Sequence, residues 1–255
     1  MKKILLFIVL LGVVLIWAYR VNSNISGIIL KLDKKGIAEN RDLKYQVNLF
    51  NIFPVADAIF YSGKQEEYKG KKVDHLSART FTKRSFSRLF DANVALDTYI
   101  DPSSGNPLYF KQRISISGKE DSEKEIIYDQ KNGAMELAGV RRSILPDTQD
   151  FLSAIYNLRK MDFAKVKAFD MNINTNQKNY MFKGEVSGKS LKVNRKNYEI
   201  FIVKGVIKRR DKNPYHKTEI SIVFLKGKEN IPLFIKVFSS GFLLGIKLTD
   251  IQNPG

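Results

Sequence analysis

The chain has 255 residues, no cysteine and a formal net charge of +17. The absence of cysteine excludes disulfide bonds, thiolate metal sites, cysteine nucleophiles and a lipid-modified cysteine behind a leader. Hydrophobic residues make up 44% of the chain and aromatic residues 11%, which is enough apolar volume for a folded core and excludes wholesale disorder.

The N-terminal segment is the first predicted element. Lys2 and Lys3 precede the uncharged run Ile4–Tyr19, and Arg20 follows it. As a helix, this run would be about 24 Å long against a bilayer core of about 30 Å. That length fits a signal peptide or a signal anchor, assigned to residues 1–20, with the N-terminus in the cytoplasm and the bulk of the chain outside it.

Cleavage of this leader stays open. The stretch Trp17–Arg20 ends in the large residues Tyr19 and Arg20, whereas a signal peptidase prefers small residues before its cut. We therefore expect an inner-membrane-anchored protein facing the periplasm, with secretion to the periplasm after cleavage as the alternative. Residues 21–42 are interpreted as a linker and residues 43–250 as a β-rich extracytoplasmic domain.

From residue 43 onward, alternating polar and apolar residues form runs that turn residues separate. The clearest runs are 43–50, 107–116, 199–208, 218–225, 233–238 and 242–249. Period-two alternation with β-branched and aromatic residues predicts antiparallel strands with one buried face. The predicted fold class is mainly β: a curved antiparallel sheet or an incomplete barrel with one packed amphipathic helix, preceded by an N-terminal apolar helix.

One amphipathic helix is predicted in the middle of this domain. Pro146 and Asp147 introduce it, with Asp147 as the expected N-cap and Asp150 in the first turn. Arg159 and Lys160 close its last turn. The apolar stripe has helical spacing and consists of Phe151, Leu152, Ala154, Ile155 and Leu158. We expect this helix to pack on the sheet.

Few residues suggest catalysis. The stretch Gly184–Ser190 resembles a phosphate-binding loop, but it has three residues between its glycines where that loop needs four. A hairpin turn is the better prediction for it. His75 and His216 are the only histidines, and neither has the neighbours of a metal site. The sequence therefore predicts a non-enzymatic protein with no catalytic residues, no metal and no cofactor.

Positive charge is concentrated in the C-terminal part of the chain. Residues 177–247 carry 16 Lys and Arg against 5 Asp and Glu. This excess indicates either an anionic partner or a general lysine bias that keeps the surface solvated. Within it, a basic cluster forms candidate contacts for an anion or a lipid headgroup, with a solvated hairpin tip as the alternative. The cluster comprises Lys208, Arg209, Arg210 and Lys212.

Three motifs along the chain resemble those of one bacterial family. Arg84–Phe90 and Asp97–Asp101 are similar to its early strands. Ile231–Lys236 with Ser240–Phe242 is similar to its closing hairpin. Over about residues 43–250 the chain thus resembles the bacterial domain-of-unknown-function family 3108. The most specific motif is the helix signature between them, made of Pro146, Asp150, Leu152, Ser153, Ala154, Ile155, Tyr156, Leu158 and Arg159.

The resemblance implies an export signal, a place in the periplasm or cell envelope, and a curved antiparallel sheet similar to lipoprotein-carrier folds. It brings no catalytic residues, and capping and packing explain the helix signature. The first functional hypothesis is a protein that binds a lipid or another hydrophobic, anionic envelope component, with an acyl chain on the apolar inner face of the sheet. The alternatives are a structural or adaptor subunit of a membrane-associated complex and an uncharacterised envelope hydrolase.

The expected partners follow from these hypotheses. The membrane is contacted through the N-terminal segment, and an anionic lipid or another envelope protein is contacted by the β-rich domain. No nucleic-acid partner is expected.

Overall fold

In the computed structural model, residues 25–33, 42–175, 178–210 and 217–252 are described. Fourteen strands in these ranges form a single antiparallel sheet. The strands are β1 (Asp42–Leu49), β2 (Phe53–Tyr68), β3 (Lys71–Thr82), β4 (Ala92–Ile100), β5 (Pro107–Ile116), β6 (Ser122–Asp129), β7 (Ala134–Leu137), β8 (Val140–Ser143), β9 (Ala168–Thr175), β10 (Lys178–Val193), β11 (Lys196–Arg209), β12 (Lys217–Leu225), β13 (Ile231–Ser239) and β14 (Phe242–Gln252). The prediction of a mainly β, curved antiparallel sheet is confirmed.

The strand order is simple. Each strand pairs with its neighbours in sequence, except that β8 and β9 do not pair with each other and β14 returns to pair with β1. As a result, β1 lies in the middle of the sheet and β8 and β9 form its two edges.

Within the described ranges, three helices accompany the sheet. They are α1 (25–33), α2 (Arg84–Ser87) and α3 (Phe151–Lys160). Helix α3 contacts β3 and β4 as well as the edge strand β9. Because β4 and β9 are far apart in the strand order, the sheet must curve around α3 to bring both against it. We call the face of the sheet toward α3 the inner face and the opposite face the outer face.

The inner face is filled by apolar side chains. Leu152 of α3 belongs to one buried cluster together with Phe60 of β2. Leu158 belongs to another, together with Val203 of β11. The amphipathic stripe that the sequence predicts therefore lies between the two halves of the sheet and forms much of the core.

The gap between the two edge strands is bridged by the segment that leads from β8 into α3. Gln149 forms a parallel bridge with Ile173 of β9. The side chain of Asn172 on β9 donates to the Pro146 carbonyl at 2.8 Å. The sheet is thus an open one whose two edges approach each other across residues 144–150.

Helix α1 is part of the folded domain. Its buried residues Ile25, Ile28, Ile29 and Leu32 have the spacing of one helical face. They belong to the same buried cluster as Leu43 at the start of β1. The segment that the sequence interprets as a linker therefore contains a helix with an apolar face in the core.

The predicted N-terminal apolar helix lies outside the described residues. Among the residues that are described, no helix combines the length and the apolar character needed to cross a membrane.

The predicted start of α3 is wrong by three residues. Asp150, not Asp147, is the N-cap, and its carboxylate accepts from the backbone N–H groups of Leu152 at 2.7 Å and Ser153 at 3.0 Å. The reason is that Gln149 is engaged in the bridge to β9, so the chain stays extended until residue 150. Asp147 instead accepts from the Asn106 side chain at 2.9 Å.

The predicted hairpin turn at Gly184–Ser190 is also wrong. Strand β10 continues through this stretch to Val193, and the turn is made by Asn194 and Arg195, both with positive φ. Of the two glycines in this stretch, Gly184 permits a close approach of the Phe169 ring, whereas Gly188 has only ordinary contacts.

Candidate functional site

A large groove lies on the outer face of β9 to β14 and opens beside the β1–β2 and β13–β14 connections. Its volume is about 1050 Å³, at the upper end of the roughly 300–1,000 Å³ that is usual for ligand sites. Lys204, Val206 and Lys208 of β11 line it. These residues alternate along the strand with the inner-face residues Phe201 and Val203, which places the groove on the face opposite α3.

A pair of glycines shapes the sheet beneath this groove. Gly184 of β10 and Gly205 of β11 stand directly opposite each other. A Cβ atom on Gly205 would lie 2.2 Å from the carbonyl oxygen of Lys183, and one on Gly184 would lie 2.4 Å from the ring of Phe169. The two glycines therefore permit a close approach of backbone and rings on the inner side, and such glycines favour sharp sheet curvature.

The groove is amphipathic. Apolar side chains on its wall include Val206, Phe238 and Leu243. Its charged lining consists of four lysines and three carboxylates, namely Lys183, Lys204, Lys208, Lys236, Asp170, Glu185 and Glu219. Two of these carboxylates already have cationic partners: Asp170 lies 3.5 Å from Lys183, and Glu219 lies 2.7 Å from Lys217. The lining thus combines an apolar surface with an excess of positive charge.

An apolar rim adjoins the mouth of the groove. Among the described residues, eight of the eleven exposed large hydrophobic side chains lie in the β1–β2, β3–β4 and β13–β14 connections or at strand positions within two residues of them. These connections are neighbours at one end of the sheet, because Leu49 is opposite both Phe53 and Leu244, and Ala56 is opposite Thr82. The rim comprises Phe50, Ile52, Phe53, Phe81, Leu89, Phe90, Phe238 and Phe242.

The structure separates the residues of the predicted basic cluster. Lys208 lines the groove. Arg209 follows it on β11 and, by strand alternation, is directed to the other face. Arg210 donates to the Asn172 side chain of β9 at 2.5 Å. Lys212 lies outside the described residues. Of this cluster, Lys208 is the residue that the structure brings to the candidate site.

The polar residues of the helix signature cap α3 or pack against it. Asp150 also accepts from the Thr98 hydroxyl at 3.2 Å, and the Ser153 hydroxyl accepts from the Asp150 N–H at 2.9 Å, which completes a capping box. Burial raises the pKa of Asp150 to about 6, against the lowering effect of these hydrogen bonds. The Pro146 carbonyl takes part in the bridge to β9. The buried apolar members of the signature are Leu152, Ala154 and Leu158.

Two further signature residues connect α3 to other elements. The Tyr156 hydroxyl donates to Asp74 of β3 at 2.5 Å, and burial is the main cause that raises its pKa. Arg159 donates to Glu229 at 2.8 Å, and its guanidinium lies 5.7 Å from the ring centroid of Phe60. These contacts hold α3 in place and leave it away from the groove lining.

A second polar cluster lies on the outer face of the other half of the sheet. The His75 ring is hydrogen-bonded to Glu66 at 2.9 Å and to Asp97 at 3.1 Å, and Arg79 also donates to Asp97 at 2.9 Å. The hydrogen bond to Asp97 is the largest cause that raises the pKa of His75. Both ring nitrogens are engaged with carboxylates, so the cluster is a cross-strand network that fixes the ring. His216 lies outside the described residues.

Sequence reasoning missed the groove and most of the rim. The exposed Phe238 and Phe242 lie in runs that were predicted as strands, and alternation alone does not show that their side chains stay uncovered. One usable signal was the turn Ser240-Gly241 between two phenylalanines, because a two-residue turn leaves the flanking side chains at the tip of a hairpin.

Comparisons with known proteins place the chain among uncharacterised families. The model of a family described as "Protein of unknown function (DUF3108)" matches residues 44–241, which confirms the resemblance that the motifs suggest. The crystal structure of a β-barrel-like protein of domain of unknown function DUF1849 from Brucella abortus is similar, with a TM-score of 0.56, 10% identity, and coverage of 83% of this chain and 96% of that one. At that identity, the similarity concerns the fold alone. No curated protein matches the chain.

Proposed function

This chain belongs to the DUF3108 family of proteins of unknown function, and we propose that it is a non-enzymatic protein of the cell envelope that binds a lipid-like, anionic amphiphile in the outer groove. The observation that carries this proposal is the groove itself. It is large enough for a ligand of that class, and it offers both an apolar wall and an excess of lysine.

The outer groove replaces the inner face as the proposed binding surface. On the inner face, α3 and the side chains of the sheet form the buried clusters of the core. We therefore propose the acyl-chain site on the outer face, and not on the inner face where the sequence suggests it. The groove extends across six strands, β9 to β14, which corresponds to about 24 Å at the usual strand spacing.

The proposed place in the envelope is supported by the sequence. The apolar run Ile4–Tyr19 behind Lys2 and Lys3 has the features of an export leader. A net charge of +17 favours residence near anionic lipid. We propose that the protein faces the periplasm, tethered to the inner membrane or released from it after cleavage.

Charge reversal in the groove tests the proposal. The variant Lys204→Glu/Lys208→Glu places two carboxylates where a headgroup would lie, and we expect it to bind a fluorescent long-chain fatty acid about tenfold more weakly or worse. The control Lys189→Glu/Lys192→Glu makes the same change of net charge on β10, outside the groove lining. The measurement is a fluorescence titration of the full-length proteins. Equal affinities for both variants and the unmodified protein would contradict the proposal.

A structural or adaptor subunit is the second candidate, and the edge strand β8 favours it. All four residues of β8 are exposed. The edge of β8 opposite β7 is available for strand addition. However, Arg141 and Arg142 place charges on this edge, a feature typical of edges protected from further pairing. Co-purification of a stoichiometric protein partner, without lipid, would favour this candidate over the first.

A further inference from the structure

We propose that the apolar rim is a membrane-docking surface, which inserts into the interface of an anionic bilayer while the flanking basic residues contact lipid headgroups. The proposal goes beyond ligand binding in the groove, because docking of the rim does not require the groove to be filled. It rests on the positions of the exposed apolar side chains, the hydrogen bonds of the backbone that carries them, and the charges around them.

The composition of the rim is that of a membrane interface. Ile52 is 66% exposed, Leu89 81% and Phe242 60%. The rim extends over β4, β3, β2, β1, β14 and β13, which is about 24 Å at the usual strand spacing. Exposed apolar patches of such extent on a folded domain mark interaction surfaces, and phenylalanine and leucine on protruding loops are suited to the boundary between headgroups and acyl chains.

Several backbone amides of the rim are hydrogen-bonded within the protein, which suits an environment without water. In the β1–β2 connection, the N–H of Phe50 donates to Leu243 at 2.7 Å and the N–H of Ile52 donates to Leu49 at 3.1 Å. In the β3–β4 connection, the N–H of Leu89 donates to Phe86 at 3.0 Å. These three amides therefore do not carry an unsatisfied donor into the bilayer, where its cost would be several kcal/mol.

The charges around the rim have the sign that an anionic bilayer requires. The middle connections, residues 50–52 and 240–241, contain no charged residue. On one side, the β3–β4 connection carries Arg84 and Arg88 beside the carboxylate Asp91. Lys83 of the same connection is paired with Asp57 of β2 at 2.8 Å. On the other side, β11 ends in Lys208 and Arg209. Each Lys or Arg near an anionic surface contributes about 1 kcal/mol, so an uncharged centre with basic flanks is selective for anionic lipid.

Single labelled cysteines test this orientation directly. The chain has no cysteine of its own, so Ile52→Cys, Leu89→Cys and Phe242→Cys each accept one environment-sensitive dye at a defined place on the rim. The control is Phe151→Cys, at an exposed position at the start of α3 outside the rim. The full-length labelled proteins are mixed with phosphatidylcholine vesicles that contain or lack phosphatidylglycerol.

We expect the three rim dyes to shift to shorter emission wavelength with phosphatidylglycerol vesicles and to be quenched by lipids with a quencher on the acyl chain. The Phe151→Cys dye should not change. Binding of Arg84→Glu/Arg88→Glu should weaken about tenfold or more, whereas Lys189→Glu/Lys192→Glu should bind as before. Rim dyes that stay unchanged on protein that sediments with vesicles would overturn the proposal, since the N-terminal segment would then be the contact. A shift that depends on protein concentration without vesicles would also overturn it, in favour of a second copy.

These results are independent of the groove. Loss of fatty-acid binding in Lys204→Glu/Lys208→Glu concerns the ligand site, whereas the dye positions report only on the rim. Failure of one proposal is therefore distinguishable from failure of the other.

Discussion

At the scale of single residues, Asp150 shows how one side chain can be both a structural and an electrostatic element. It is fully enclosed by α3 and β4, and it accepts hydrogen bonds from Leu152, Ser153 and Thr98. Burial nevertheless raises its pKa to about 6. A carboxyl group that is easier to protonate in the folded state makes folding more favourable at low pH.

The variant Asp150→Asn separates these two roles. The pKa of Asp150 in the folded state is raised from the ordinary value of 3.8 to about 6, so this group's stabilising contribution is fully present below about 3.8 and is lost as the pH rises through about 6. Asparagine keeps the capping acceptor but does not titrate. We therefore expect the unfolding free energy of Asp150→Asn to fall less than that of the unmodified protein between pH 4 and pH 6.

Urea unfolding at several pH values, followed by circular dichroism, measures this difference. Asp150→Ala is the companion variant: it removes the cap and should cost roughly 0.5–2 kcal/mol at every pH. If the unfolding free energies of the unmodified protein and Asp150→Asn depend identically on pH, the Asp150 carboxyl has the same pKa in the folded and unfolded states.

At the scale of elements, the β10–β11 hairpin is shaped by its two opposed glycines. Gly205→Ala would place a Cβ atom 2.2 Å from the Lys183 carbonyl. Because backbone must move to accept it, we expect a loss of unfolding free energy of about 2 kcal/mol or more. The matched control is Gly188→Ala on β10, whose Cβ would lie 3.6 Å from the Phe201 ring, an ordinary contact. Chemical denaturation measures the unfolding free energy of both variants. Equal unfolding free energies would contradict the role given to the glycine pair.

Helix α1 provides the second test at this scale. Ile29 is fully buried, so Ile29→Ala should reduce the unfolding free energy by about 2–5 kcal/mol if α1 belongs to the core. Gly27 lies on the exposed side, and a Cβ there would have no atom within 4 Å. Gly27→Ala should therefore stabilise the protein by up to about 1 kcal/mol. If Ile29→Ala unfolds like the unmodified protein, α1 is not part of the cooperative fold.

The elements differ in how well the sequence predicts them, and the reason is the range of the interactions involved. The run 107–116 coincides with β5, because alternation and turn residues are local signals. The N-cap of α3 was assigned to Asp147 because the bridge between Gln149 and Ile173, which keeps the chain extended, joins distant parts of the chain. Gly184 was assigned to a turn for a similar reason: its partner Gly205 is a cross-strand neighbour that composition does not reveal.

The candidate site was predictable only in part. Lys208 was identified from its charge, and it lies in the groove. The groove wall, however, combines residues from β9 to β14, and their side-by-side placement depends on the sheet order. The rim likewise depends on three connections meeting at one end of the sheet, and its exposed side chains are apolar residues that sequence patterns assign to a core.

At the scale of the whole molecule, the two ends of the sheet differ. One end contains the buried cluster that includes α1, Leu43 at the start of β1 and Ile251 at the end of β14. The other end carries the exposed rim and the mouth of the groove. We propose that the end with the rim contacts a bilayer and that the ligand enters the groove at that same end.

The most direct test of the central claim is native mass spectrometry of the full-length protein, purified under conditions that retain bound lipid. Ser221→Trp fills the groove, and Ser187→Trp places the same side chain on the exposed outer face of β10, beyond the groove lining. We predict one bound lipid with an anionic headgroup in the unmodified protein and in Ser187→Trp, and none in Ser221→Trp. A protein that carries no lipid, or three proteins that carry it equally, would contradict the assignment of the groove.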